Sequence, residues 1–217
     1  MAEIKLNQII LADCMDIMRD IPDKYFELAI VDPPYGIERF KKCAENNDPK
    51  TRDVYANKFL GNEKFNNEKP DEIYFNELFR MSKNQIIWGG NNFKLPQSEY
   101  FVCWDKDQSM PNFATLEYAW VSMGLKKPAK LFRYSIHKHN QIEKIHPTQK
   151  PVALYRWLLH NYAKPGDKII DTHSGSGSCA IACHKEKHDF LAIEKDPDYH
   201  AASVKRLEEV RAQGVLF

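Results

Sequence analysis

Asp32-Pro33-Pro34-Tyr35 follows directly on the apolar run Phe26–Val31. It sets a carboxylate beside a carbonyl whose direction the next proline restricts, with an aromatic ring just after. Two adjacent acceptors suit an amino group on a flat ring. They take both of its hydrogens and favour a more pyramidal, more nucleophilic nitrogen. Tyr35 offers a face on which such a ring stacks once it has left a duplex. The plainer reading is a strand-ending carboxylate that caps a helix, with Tyr35 packed nearby. Asp-Pro-Pro alone does not choose between them.

A second group lies far along the chain. Lys168–Asp171 reads as a buried strand, Thr172-His173-Ser174-Gly175-Ser176-Gly177-Ser178 as a glycine-rich turn, and a helix follows from about Cys179. Phe190–Glu194 is then a strand ending in an acid. This is the pattern of a nucleotide-binding βαβ unit: glycines admit a ligand to the backbone and the helix start offers free N–H groups. Glu194 falls about 20 residues after the first glycine, the distance at which an acid meets ribose hydroxyls. Gly175–Ala180 also satisfies G-x-G-x-x-A, so the turn by itself accommodates a nicotinamide dinucleotide as well as S-adenosylmethionine.

The elements that position these groups follow the pattern of an α/β chain. Gln8–Leu11 is a short strand and Met15–Ile21 a helical stretch; Phe26–Val31 suits a buried parallel strand, stopped by two prolines that cannot donate to a ladder. Its carboxyl end is where open α/β sheets bind ligands. Asp71–Met81 predicts an amphipathic helix with Ile73, Tyr74, Leu78 and Met81 inward. Strands are expected at Gln85–Trp88, Tyr100–Trp104, Leu116–Ser122 and Lys130–Tyr134, and helices after Pro151 and over Pro197–Gln213. Gly89-Gly90 marks a tight turn, or a place where backbone approaches a base.

The 217 residues, 43% hydrophobic and 28% charged, fit one globular domain. No apolar run reaches the length of a membrane span, and Met1–Leu11 lacks the regions of a signal peptide, so a cytoplasmic protein is expected. The five cysteines form no CxxC pair and no zinc spacing; they read as reduced thiols, and no metal is expected. The net charge of +1 is unremarkable, but Lys126, Lys127, Lys130, Arg133, Lys138, Lys144 and Lys150 face one acid, Glu143, within Lys126–Lys150. Such a run is either a solvated face or a track for a phosphate backbone. The stretch 36–70 loses its apolar rhythm, begins right after Tyr35 and carries Arg39, Lys41, Lys42 and Arg52. It is expected to close over the site and to order on nucleic acid.

Together, Asp32–Tyr35, the His146-Pro147-Thr148-Gln149-Lys150-Pro151 segment and Asp171–Ser178 resemble the amino-group DNA methyltransferases with a DPPY motif. The likeness covers nearly the whole chain. The order, catalytic half first, is similar to the circularly permuted beta class. The resemblance implies a single α/β domain over residues 1–217, of the Rossmann-like S-adenosylmethionine-dependent methyltransferase fold. Its sheet would have seven mostly parallel strands with one antiparallel strand near the edge. It implies methyl transfer to the N6 of adenine in double-stranded DNA, with the target base flipped out. Asp32, Pro33, Pro34 and Tyr35 would act on the amine. Asp13, Cys14, Asp32, Thr148, Gln149, Lys150, Asp171, His173, Ser174, Gly175, Ser176, Gly177, Ser178, Glu194 and Lys195 would hold the cofactor, Asp13 at its adenine amino group. DNA contacts fall to Arg39, Lys41, Lys42, Arg52, Lys126, Lys127, Lys130, Arg133 and Lys138, in the basic insertions 36–70 and 124–145.

The family pattern D-P-F-x-G-S-G-T is broken at Thr172, His173 and Ser178. His173 either packs where the Phe would or donates to the cofactor carboxylate. The insertions are too short for a separate recognition domain, which points to short or relaxed recognition, a homodimer, or a separate specificity subunit. The alternatives are N4-cytosine methylation, an RNA or protein amino-group methyltransferase, a nicotinamide-dependent oxidoreductase, and a catalytically silent DNA-binding partner subunit.

Overall fold

The computed structural model describes residues 4–36, 68–109, 114–142 and 144–213. Among these, eight strands form one sheet: β1 (Gln8–Leu11), β2 (Phe26–Val31), β3 (Ser82–Trp88), β4 (Phe101–Asp105), β5 (Leu116–Val121), β6 (Lys130–Arg133), β7 (Ile169–Asp171) and β8 (Phe190–Glu194). Their order is β1-β8-β7-β2-β3-β5-β4-β6. β5 runs antiparallel to both its neighbours, and every other pairing is parallel. The sheet thus has one strand more than the seven expected. The strand beyond the count that the resemblance implies is β6, where the residue pattern expects one over Lys130–Tyr134; it pairs with β4 from Val102↔Lys130 to Asp105↔Arg133 and makes β5 the third strand from that edge.

Residue alternation over Leu28–Val31 of β2 divides the interior, with Phe26 at the strand start falling outside that alternation. Leu28 and Ile30 face one core together with Leu154 and Leu158 of α4 (Val152–Tyr162) and Cys179, Ile181 and Cys183 of α5 (Ser178–Glu186). Phe26, Ala29 and Val31 face the other, with Tyr74, Phe75, Leu78 and Met81 of α2 (Glu72–Met81) and Met18 of α1 (Cys14–Met18). A strand buried on both faces is why Phe26–Val31 reads as a nearly continuous apolar run. The remaining α-helices among the described residues are α3 (Ile136–His139) and α6 (Pro197–Gln213). On α2, Asp71 caps the Tyr74 N–H at 3.1 Å, and the helix phase turns Ile73 outward, 59% exposed. Phe75 takes the inward place expected for Ile73. α1 ends at Met18, short of the expected Ile21, because the chain turns there to enter β2.

Arg80 of α2 pins that turn. Its guanidinium donates to the carbonyls of Ile21 at 2.6 Å and Met18 at 2.7 Å, and to Asp23 and Glu77 at 2.8 and 2.7 Å. These bonds fix where β2, and hence Asp32, begins its run through the sheet. Arg80→Met takes the donor from the Ile21 carbonyl, leaves the Met18 carbonyl with the Ile21 N–H alone at 3.2 Å, and should cost about 1–3 kcal/mol. A lower urea midpoint at unchanged slope is the expected reading; an unchanged midpoint would show the turn to hold itself.

Candidate active site

Asp32 stands at the carboxyl end of β2, between buried strands that fix its backbone. One carboxylate oxygen accepts from the Tyr35 hydroxyl and the other from the Lys150 ammonium. The Lys150 side chain is only 3% exposed and lies over Trp88, 5.3 Å from the ring centroid. Its Nζ is also 3.2 Å from Oε2 of Glu117, whose Oε1 is 2.7 Å from Nζ of Lys106. Two acids and two lysines therefore alternate along one half-buried chain of contacts. Burial works against the Lys150 charge, but Asp32 and Glu117 outweigh it and hold the group above the ordinary lysine range. Burial likewise raises Glu117, yet Lys150 and Lys106 bring it down to about 2. Burial and the charges of Asp32 and Glu117 keep Tyr35 a neutral phenol.

Tyr35 is seated by Gly89. A Cβ there would stand 2.2 Å from Cε1 of Tyr35, and the residue has φ +65°, so the position requires glycine on both counts. Gly90, beside it, would clash with the Cβ of Trp120 at 2.4 Å. The pair thus brings backbone close to Tyr35 and β5.

The glycine turn follows β7. Glu194 at the end of β8 accepts from the Gly175 N–H at 2.6 Å and the Asp196 N–H at 2.9 Å, which locks the turn to the neighbouring strand. His173 donates its backbone N–H to Asp171 at 3.1 Å, and its Nδ1 lies 3.0 Å from Oγ1 of Thr172. Oγ1 is 2.7 Å from the Tyr74 hydroxyl, and the Tyr74 and His173 rings meet edge to face at 5.2 Å. Burial lowers His173 to about 4, so the imidazole is neutral. Asp13 caps α1 through the Met15 N–H at 2.9 Å and pairs with Lys195 at 2.8 Å.

Both groups line one cavity of about 1010 Å³. Asp13, Cys14, Asp32, Pro33, Pro34, Tyr35, Thr148, Gln149, Lys150, His173, Ser174, Gly175, Ser176, Glu194 and Lys195 all reach it. Asp171, Gly177 and Ser178 do not. Asp171 sits behind the turn, while a Cβ on Gly177 would press on Ile9 and Ser203 at 3.1 Å. Arg206 holds Ser178 Oγ at 3.0 Å. Lys150, expected beside a cofactor, lines the cavity and is bound there to Asp32 and Glu117.

His146, which opens the segment singled out in the sequence, lines the cavity, and so do Glu117, Lys106, Tyr74 and Tyr199, which sequence reasoning does not single out as site residues. For Glu117 there was a signal, an acid inside the otherwise apolar strand Leu116–Val121. Of the residues expected to contact DNA, Arg39, Lys41, Lys42 and Arg52 lie outside the described residues, as does most of 36–70. Lys126, Lys127, Arg133 and Lys138 are exposed and Lys130 half-buried, on and around edge strand β6. None of them reaches the cavity; Arg133 pairs with Asp105 at 2.8 Å.

A family model for DNA methylases, the N6/N4 methyltransferases, matches residues 62–205. The Type II methyltransferase M.HinfI of Haemophilus influenzae is 24% identical over 250 residues, covering 95% of this chain and 69% of that protein. M2.MboI of Moraxella bovis, also a Type II methyltransferase, is 24% identical over 245 residues, with 91% and 86% covered. Among solved structures, M1.HpyAVI in complex with SAM superposes with a TM-score of 0.58 at 20% identity, covering 92% of this chain and 98% of that one. The PvuII DNA methyltransferase, described as cytosine-N4-specific, gives 0.57 at 13% identity, with 94% and 91% covered. The superpositions establish a shared fold.

Asp171 makes the site's stability depend on pH. Burial, reinforced by Asp32 and Glu194 and opposed by the His173 N–H, raises its carboxyl from 3.8 to about 8. The folded chain therefore keeps a proton that the unfolded chain releases, and stability is lost as pH rises from near 3.8 to about 8. Asp171→Asn removes this titration. In thermal melts of the ligand-free protein it should raise the midpoint more at pH 8 than at pH 5. Equal shifts at both would return the carboxyl to its ordinary range.

Proposed function

The chain belongs to the DNA methylase family, whose members are amino-group DNA methyltransferases, and from that premise we propose that it transfers a methyl group from S-adenosylmethionine to the N6 of adenine in DNA. One observation carries this reading: the Asp32–Tyr35 acceptor group and the glycine turn with Glu194 line a single cavity.

The residues present fit S-adenosylmethionine. The Glu194 carboxylate is held rigidly by two backbone N–H groups at the strand end where ribose hydroxyls are recognised. Gly175, at φ +50°, lines the cavity beside the His146 ring, which would stand in ordinary contact, 3.5 Å, with a Cβ there. Asp13, Thr172, His173, Ser174, Gly175, Gln149 and Glu194 would hold it. When bound, this cofactor supplies an electrophilic methyl group on a sulfonium.

Elsewhere in the cavity, at the end of β2, Asp32 and the Pro33 carbonyl take the two hydrogens of the amine and leave its lone pair free. The Asp32 carboxylate then opposes the positive charge that develops on nitrogen as the new bond forms, a preorganised electrostatic effect. Tyr35, fixed to Asp32 through its hydroxyl and to Gly89 by contact, presents an aromatic surface to a flipped base. Adenine is favoured because the family's Asp form of the motif is the one commoner for adenine. The cytosine-N4-specific name of the PvuII relative makes cytosine the second reading.

Plasmid from a methylation-deficient host expressing this chain, digested to nucleosides and analysed by mass spectrometry, should contain N6-methyladenine. N4-methylcytosine in its place would establish the second reading, and neither would sink both. Asp32→Ala should lower kcat about a thousandfold, ~4 kcal/mol, while calorimetry shows cofactor binding retained. Binding and activity lost in parallel would overturn this division between the two groups.

A further inference from the structure

Both carboxylate oxygens of Asp32 are engaged, one by Tyr35 and one by Lys150. A target amine must therefore displace or share one of them. Lys150 is nearly sealed from water, and a buried ammonium stripped of its counter-ion is strongly unfavourable. Were Asp32 its only anion, the amine would have to break that pair unaided. Glu117 is the second anion, 3.2 Å away, and Lys106 at 2.7 Å fixes it from behind. Lys106 is itself anchored: its N–H donates to Thr115 at 2.9 Å, and its Nζ lies 5.2 Å from the centroid of the Trp104 ring.

We propose that Glu117 is a positioning residue that retains the Lys150 ammonium when Asp32 turns an oxygen to the target amine, with Lys106 holding Glu117 in register. This rests on the amino-methyltransferase reading above. Lys150 thereby passes between two carboxylates, and Asp32 is released to the amine without leaving a buried charge unpaired. Without Glu117, Lys150 is bound to Asp32 alone, and the pair resists the incoming amine. The loss falls on the chemical step and spares the glycine-turn side of the cavity.

Glu117→Gln should lower kcat about tenfold or more at saturating DNA, with cofactor Kd and DNA KM held within about twofold. Glu117→Asp should recover part of the loss. Glu117→Gln with Lys106→Met restores the charge balance, and it remains decisive if the single variant fails to fold. That double variant should stay at least about tenfold down. Recovery to wild-type kcat would mean that Glu117 only neutralises Lys106, and would overturn the proposal. So would cofactor affinity falling in step with kcat.

A second measurement needs neither DNA nor turnover. In ¹⁵N–¹H spectra of the ligand-free protein, Asp32→Asn should keep the protected Lys150 ammonium signal, because Glu117 still holds it. Adding Glu117→Gln should abolish the signal. Its loss in Asp32→Asn alone would refute the retention. Wild-type protein that methylates no DNA would instead refute the assigned reaction, and the spectra would still decide what holds Lys150.

Discussion

The ammonium of Lys150, sealed between Asp32 and Glu117, is the constraint on which the site depends. Taking such charges out of water costs several kcal/mol for each ion, and replacing a buried ion pair by packed apolar groups is often stabilising. The cluster is thus a poor device for stability and a good one for fixing a carboxylate. It also dictates topology. Asp32 ends a strand that runs parallel to its neighbours, so its companions must come from the same sheet edge. β5 is the strand that runs the other way. Its register, with Trp88 opposite Ala119, carries Glu117 past the end of β3 and onto that edge. An antiparallel strand delivers its first residues where parallel strands deliver their last.

What the sequence made legible was local. Two prolines stop β2 at Asp32 whatever surrounds them, and the spacing from glycine turn to Glu194 belongs to one compact βαβ unit. Hence the fold class, the carboxyl-edge site and the pairing of the two groups could be read in advance. The ion cluster could not. Asp32 and Lys150 are 118 residues apart, and Glu117 joins them only through the order β2-β3-β5, which periodicity does not encode. The resemblance implies a cofactor contact for Lys150 and gives no hint that its side chain lies among Asp32, Glu117 and Trp88. The phase of α2 was misread by a similar margin, since Ile73 and Phe75 are both apolar and only packing against β3 and α1 selects between them.

The basic run shows a different limit. Charge counting found the cationic stretch but not its location. Arg133 lies on edge strand β6, several strands from Asp32, whereas Lys126 and Lys127 follow the Met123–Leu125 turn, where a Cβ on Gly124 would meet Asn84 of β3 at 2.5 Å.

Thr172 and His173, two of the three departures in the glycine motif, act as a unit. Tyr74 is buried and its phenol is kept protonated by that burial, so its single O–H must be donated to something. Oγ1 of Thr172, at 2.7 Å, is its one hydroxyl-range partner among the described residues. Thr172 must then donate its own hydrogen onward, and Nδ1 of His173 lies 3.0 Å away. Nδ1 is thereby an acceptor, and in a neutral imidazole the ring proton belongs to Nε2. The opposite direction would leave the Tyr74 hydroxyl proton buried without an acceptor, at a cost of about 1–3 kcal/mol. A proline at 172 would supply no hydroxyl to fix this tautomer, and a phenylalanine at 173 no nitrogen to receive it. The chain keeps the aromatic edge that packs on Tyr74 and adds to it an N–H of defined position on a residue lining the cavity.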